Sequence, residues 1–458
     1  LPVPKIDEQL GIEVYATETE GVRGVIREAT DDFEVEEVLV DGSKATIEKA
    51  EAKQVLGASP TKRQYLLCIL VKRNWDTFIA LKNIAKQLDI SQKQIQIAGI
   101  KDAKAVTAQH ITIENCSMED AAKVSIKDMA IRPLGYFREK LSPYYLLGND
   151  FTIKIKAIKC SESTVEKRVT ETARALDAMG GMPNFFGHQR FGTTRPVTHL
   201  VGKAIIRGDF EGAVMLFLAK PSVHEHPSSR QARIELRSTL DFKLALRNFP
   251  KQLRFERLML RHLAENPADF VGAFRRLPVK LQELFVQAYQ SFLFNRFLSE
   301  RFKNGFSLGR AEFGDYVVNV ERSGLPMFHT AKFADSENVT DVNALVGAGR
   351  MRVALPLIGT KQRLSQGVMG QIEKHILEEE GIQTGNFRVD AIRDMSRGGG
   401  LRAVVTPVNG FKLHNVSAST ASPRAHQADL SFMLLKGSYA TVFLREIMKP
   451  SDPIKAGF

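Results

Sequence analysis

Only three cysteines stand in 458 residues, Cys68, Cys116 and Cys160, far apart and in no CxxC pairing. Their scarcity excludes a disulfide framework and a cysteine-built zinc site. Cys68 and Cys116 lie in apolar or alternating segments, where a buried reduced thiol is expected. No uncharged apolar run approaches the roughly 20 residues that a membrane span needs. Leu1 to Leu10 carries Lys5, Asp7 and Glu8 where a signal peptide would be apolar, so a cytoplasmic protein without a membrane partner is expected. Walker, GxSxG and HExxH motifs are absent. His224 and His226 have no Cys or third His nearby and sit between Pro221 and Pro227, which reads as a solvated loop; no metal site is expected. The glycines 398–400 lack both the following Lys-Ser/Thr of a phosphate loop and GxGxxG spacing, and read as a flexible joint, a hinge or a turn.

The composition, 43% hydrophobic and 25% charged, is that of a globular protein, and the length implies two or three domains. Charge is unevenly spread. The net value of +12 combines −8 over residues 1–59 with +6 over residues 60–110, leaving +14 for the remainder. A polyanion is the natural partner of such a chain, because Lys and Arg contacts to phosphates dominate nucleic-acid affinity.

Patterning gives the organisation. Phe33, Val35 and Glu37 alternate with Glu34, Glu36 and Val38 in a short strand, and Arg27 and Glu37 are the polar residues least explained by solvation. Tyr65 to Val71 is a continuous apolar run suited to a strand buried on both faces. Asn74 or Asp76 can cap a helix with Phe78, Leu81, Ile84, Ala85 and Leu88 on its apolar face. Gly148-Asn149-Asp150 reads as a turn into a strand over Phe151–Ile158, and a helix is predicted over residues 163–178. Residues 200–300 are mainly helical, with the strongest pattern from Val279 to Phe302; residues 306–400 mix short strands with one amphipathic helix around Gln366–Glu380. Strands return at Phe411–Leu413 and Ser431–Leu435, before a terminal helix through Phe443 and Ile447. Strand-rich ends around a helical block favour an α+β domain, mainly antiparallel, interrupted by an insertion.

Between the alternations Ile95/Ile97 and Ile111/Ile113 lies the turn Ala98-Gly99-Ile100-Lys101-Asp102-Ala103-Lys104-Ala105-Val106-Thr107-Ala108-Gln109. Asp102 is the only carboxylate between Asp89 and Glu114, flanked by Lys101 and Lys104. Neighbouring cations keep such a carboxylate ionised, and on position alone it is a nucleophile, a charge anchor or an ordinary turn residue.

This stretch resembles the G-x-K-D-x-x-A-x-T-x-Q signature of the TruD-type pseudouridine synthases. Five other segments, in the same order, resemble the family's remaining motifs: Arg27 with Asp32-Phe33-x-Val35-x-Glu37, Gly148-Asn149-Asp150-Phe151, Pro183 to Gly192, Ser291 to Asn295, and Gly437 to Glu446. The resemblance implies an α+β fold with a bipartite catalytic domain of mainly antiparallel sheet, formed by residues 1–185 and 399–458, and an inserted α+β domain over 186–398. It implies isomerisation of uridine to pseudouridine in tRNA, usually at uridine 13, with no cofactor, no metal and no obligatory protein partner.

Asp102 is then the nucleophile. Arg27 is its counterion, with Lys101 the alternative; Asn149 is a hydrogen-bonding partner of the base, Phe151 the stacking residue and Tyr439 a second aromatic wall. Lys104, Gln109, Gln189 and Arg190 are candidate RNA contacts, whereas Phe185, Phe186 and Phe191 are read as packing at a domain junction. Arg27 and Glu37 can alternatively form a salt bridge, and Asn295 can bind backbone. The rival functions are a non-catalytic RNA-binding protein on the same basic surface and a nucleoside hydrolase.

Overall fold

The computed structural model describes residues 1–49, 55–418 and 425–458. Its strands are, in order, β1 (Phe33–Leu39), β2 (Tyr65–Arg73), β3 (Ile95–Ile97), β4 (Val106–Glu114), β5 (Met129–Phe137), β6 (Leu146–Ile158), β7 (Met182–Pro183), β8 (Tyr316–Val320), β9 (Pro326–Phe333), β10 (Met351–Leu357), β11 (Gly400–Ala403), β12 (Val405–Thr406), β13 (Val408–Ala418) and β14 (His426–Leu435). Eight of them form one sheet in the order β13-β14-β6-β1-β4-β2-β5, with β3 on β4. Strands from both ends of the chain thus share a sheet, as the patterning predicts. Its pairings are antiparallel except β1 with β4, which is parallel. β1 takes the Val106–Ala108 end of β4 and β3 takes the Ile111–Ile113 end, so the Asp102 loop leaves and re-enters the sheet beside β1.

β1 is buried at every second position along its length, at Phe33, Val35, Glu37 and Leu39. β2 is buried over Leu66–Leu70 between β4 and β5, as its unbroken apolar run requires. β6 corrects the sequence reading: Gly148, Asn149 and Asp150 belong to the strand and not to a turn before it. A Cβ at Gly148 would lie 2.1 Å from the Leu434 carbonyl oxygen, so the glycine is there to let β14 approach.

A smaller sheet runs β11-β10-β8-β9, and β7 pairs with β12. Because β11 pairs with β10, the smaller sheet extends past residue 398 to Ala403. The glycines 398–400 are not a loose joint. Thr360 and Lys361 donate to the carbonyls of Arg397 and Gly398 at 2.9 Å each, and a Cβ on Gly359 would meet the Gly399 nitrogen at 2.2 Å. Residues 306–400 carry a second helix, Val339–Gly347, beside the expected one, found at Gly367–Glu379.

The helix Val279–Lys303 is the hub of the helical block, with Phe285, Tyr289, Leu293, Phe294, Phe297 and Leu298 buried on several of its faces. Asp76 rather than Asn74 caps the helix Thr77–Gln87, accepting from the Ile79 amide at 3.0 Å. Phe78, expected on that helix's buried face, is 45% exposed, because Thr77 turns inward in its place. His226 caps the helix Pro227–Thr239 by accepting from the Ser228 amide.

Candidate active site

The loop between β3 and β4 is held by three side chains, each gripping a main-chain carbonyl. Gln109 donates to Gly99 O at 3.1 Å, the Thr77 hydroxyl to Lys101 O at 3.1 Å, and the Lys72 ammonium to Asp102 O at 2.8 Å. Gln109 is fully buried, so the expected RNA contact there is replaced by an anchor under the loop. Lys101 also points inward. Its Nζ lies 2.6 Å from Glu37 Oε2, while Glu37 Oε1 accepts from the His110 amide at 3.0 Å. Burial pushes the Glu37 pKa up, but Lys101 and His110 outweigh it and hold the carboxyl below its ordinary range. Arg27 and Glu37 therefore anchor two separate pairs rather than one.

With Lys101 committed to Glu37, Arg27 takes Asp102. Nη2 of Arg27 donates to Asp102 Oδ1 at 2.9 Å, and Gln189 Nε2 donates to the same oxygen at 3.0 Å. Among the described residues Oδ2 receives no hydrogen bond, and the Asp102 side chain keeps 29% of its exposure. Arg27 lies 3.9 Å over the Phe33 ring, donates to the Gly457 carbonyl at 3.2 Å, and adopts φ +60°, a left-handed conformation uncommon outside glycine. Burial lowers its pKa, with Asp102 opposing.

Asp102 opens on a cavity of about 220 Å³ that Arg27, Asn149, Phe151, Gln189 and Tyr439 also line. Four remote segments thus meet the loop. Phe151 is 5% exposed and stacks on Phe432 with centroids 5.4 Å apart. Tyr439 precedes the terminal helix Ala440–Met448 and stands edge-on to Phe186; a Cβ on Gly187 would come within 3.1 Å of its ring. Asn149 Oδ1 is buried and has no hydrogen-bond partner among the described residues. Lys104 is exposed at the loop, whereas Arg190 turns to Ser291 at 3.1 Å and Gln287 at 3.3 Å on the long helix. Phe185, Phe186 and Phe191 are buried, and Asn295 clamps both Phe186 backbone groups and Leu10 O.

A larger cavity, about 630 Å³, shares none of these residues. Its Glu380 is already engaged by Lys203 at 2.7 Å and by the Tyr289 hydroxyl at 2.8 Å, whereas Asp102 Oδ2 is unclaimed among the described residues. Among the described residues no group of three His, Cys, Asp or Glu is placed to hold a metal ion.

Sequence reasoning missed several supports. Lys72 follows an apolar run, and a charge at the end of a buried strand is the signal that marks it. Arg402 lies 4.0 Å over Phe186 and ties Asn184 to Gly437. Asp7 joins His188 Nε2 at 2.7 Å to Arg445 Nε at 2.5 Å, all three buried, locking the residue before Gln189 to the terminal helix. Neither arrangement has a local signature.

Over residues 9–447 the chain matches the family described as tRNA pseudouridine synthase D (TruD). The chain belongs to the tRNA pseudouridine synthase D family. It is 38% identical over 455 residues to a probable tRNA pseudouridine synthase D of Methanosarcina barkeri, covering 99% of this chain and all of that one. A probable tRNA pseudouridine synthase D of Methanosarcina acetivorans is 39% identical over 99% of each chain. The crystal structure of the putative tRNA pseudouridine synthase D from Methanosarcina mazei superposes with a TM-score of 0.82 at 38% identity, over 99% of this chain and 100% of that chain. Membership makes this chain an isomerase of the pseudouridine synthase class. No helix among the described residues is long and apolar enough to cross a membrane.

Proposed function

We propose that this protein isomerises uridine to pseudouridine in tRNA, at uridine 13, with Asp102 as the nucleophile. The observation that carries the reading is the Asp102 carboxylate itself: one oxygen is held by Arg27 and Gln189, and the other is unclaimed at a cavity walled by Phe151 and Tyr439. The reaction breaks the bond from N1 to C1′, turns the uracil and rejoins it through C5, with the C5 proton lost and a proton gained at N1. The base must leave its stack and be retained while it turns. A carboxylate oxygen free to attack C1′ or C6, or to assist a glycal route, meets the chemical need. No electrons are gained or lost and no cofactor is invoked.

Arg27 balances the Asp102 charge where the incoming base displaces water. The unpartnered Asn149 oxygen suits an imide N–H of uracil, and the rings of Phe151 and Tyr439 suit its faces. The net charge of +12, with Lys104 exposed beside the site, suits an RNA backbone. In this reading the catalytic unit comprises residues 1–185 and 399–458, with 186–398 inserted.

The test is to incubate the protein with an unmodified tRNA transcript and to map pseudouridine by mass spectrometry after cyanoethylation. One pseudouridine at position 13, lost when that uridine is replaced by cytidine, is expected. Binding without any pseudouridine would favour a non-catalytic RNA-binding protein, and free uracil would indicate a hydrolase.

A further inference from the structure

The Asp102 loop is tethered to the interior of the main sheet by a charge. Lys72, on β2 between β4 and β5, is wholly buried. Its ammonium donates to two main-chain carbonyls, Asp102 O and Trp75 O, at 2.8 Å each. Among the described residues no carboxylate oxygen lies within 4 Å of it, unlike the buried cations Lys101, Arg301 and Arg445, which each pair with an acid. A buried cation without a partner charge is expensive, and among the described residues Lys449 is the other buried lysine without one. Thr77 and Gln109 already anchor the loop without charge. The ammonium therefore has a use beyond packing.

We propose that Lys72 is a positioning residue for the isomerisation, its buried ammonium fixing the Asp102 main chain and placing a positive charge beneath the reacting carboxylate. The inference rests on the reading of Asp102 as the reacting group. Arg27 approaches the carboxylate through its side chain, and Lys72 grips the backbone of the same residue, so the two cations bracket it. The charged groups facing Lys72 are Asp102 and Asp76, which favour its ammonium, and Lys101, which disfavours it. Burial outweighs them and brings the pKa down to about 8. The tether thus weakens in a measurable pH range.

Lys72→Met, which keeps the stem and removes the charge, and Lys72→Arg, which keeps a charge that does not titrate, are compared with wild type. Turnover on a tRNA transcript is followed from pH 6 to 10. For Lys72→Met, kcat should fall by about 10²-fold, the scale of a misplaced reacting group, with KM within threefold. Wild-type turnover is expected to decline above about pH 8, and that decline should be absent in Lys72→Met and shifted upward by at least one unit in Lys72→Arg, whatever the latter's absolute rate. A kcat for Lys72→Met within twofold of wild type, or an alkaline decline in Lys72→Arg at the wild-type pH, overturns the proposal. Should Lys72→Met fail to fold, the Lys72→Arg profile decides alone. Asp102→Ala is run in parallel: pseudouridine formation by that variant would overturn the underlying reading, whereas its inactivity beside unaltered Lys72 profiles overturns this proposal only.

Discussion

The guanidinium of Arg27 meets the carboxylate of Asp102 across 2.9 Å while the Arg27 backbone is held at φ +60°. The two residues are 75 positions apart, and the contact depends on Phe33 beneath the guanidinium and on the Gly457 carbonyl behind it. Arg27→Met should lower single-turnover pseudouridine formation by about 10²-fold, the scale of losing one preorganised electrostatic contact. Arg27→Lys should fall between, because an ammonium cannot reproduce the flat contact with Phe33 together with both hydrogen bonds.

Lys101 and Glu37 form a pair with side chains 3% and 0% exposed. Removing one partner strands a buried charge, so Lys101→Met should destabilise the fold by about 3–5 kcal/mol, seen as a lower denaturation midpoint. Adding Glu37→Gln should recover much of the loss, since the amide oxygen still accepts from the His110 backbone. A double variant no more stable than Lys101→Met would contradict the pairing.

Gly148→Ala tests the placement of Gly148 within β6 against β14. A Cβ 2.1 Å from Leu434 O forces β6 and β14 apart beside Asn149. A loss of about 1–3 kcal/mol is expected in thermal melts, together with lower kcat in the folded fraction.

His199 is 3% exposed, lies between Phe191 and Phe292, and has its pKa pulled down to about 3 by burial, with Lys220 adding to the effect. Its folded pKa is below the unfolded one. The contribution to stability is therefore complete above about pH 6.5 and is lost as pH falls from there toward about 3. The size is on the order of a few kcal/mol. Melting temperatures from pH 7 to 4 should fall more steeply for wild type than for His199→Gln; parallel curves would contradict this.

The Asp102 loop was legible in the sequence because strand alternation brackets it and because one acid among lysines stands out. The split sheet was legible for the same reason, since strand periodicity recurs at both ends of the chain. Gly148-Asn149-Asp150 misled because its composition is that of a turn, while the constraint on Gly148 comes from β14, more than 280 residues away. Lys101 reads as a cation beside Asp102 and Gln109 as an RNA contact until the sheet closes over them. The choice of Arg27 over Lys101 as the Asp102 partner is set by Glu37, whose burial no local pattern reveals beyond its place in the alternation of β1. The contact of Gln189 with Asp102 depends on a separation of 87 residues and is wholly tertiary.

Asp102→Ala asks most directly whether Asp102 performs the reaction. Purified variant and wild type are given the same tRNA transcript, binding is measured by filter retention, and pseudouridine is mapped after cyanoethylation. A tRNA affinity within a fewfold of wild type and no pseudouridine formed by the variant are expected. Pseudouridine formed by Asp102→Ala at the wild-type rate would contradict that role.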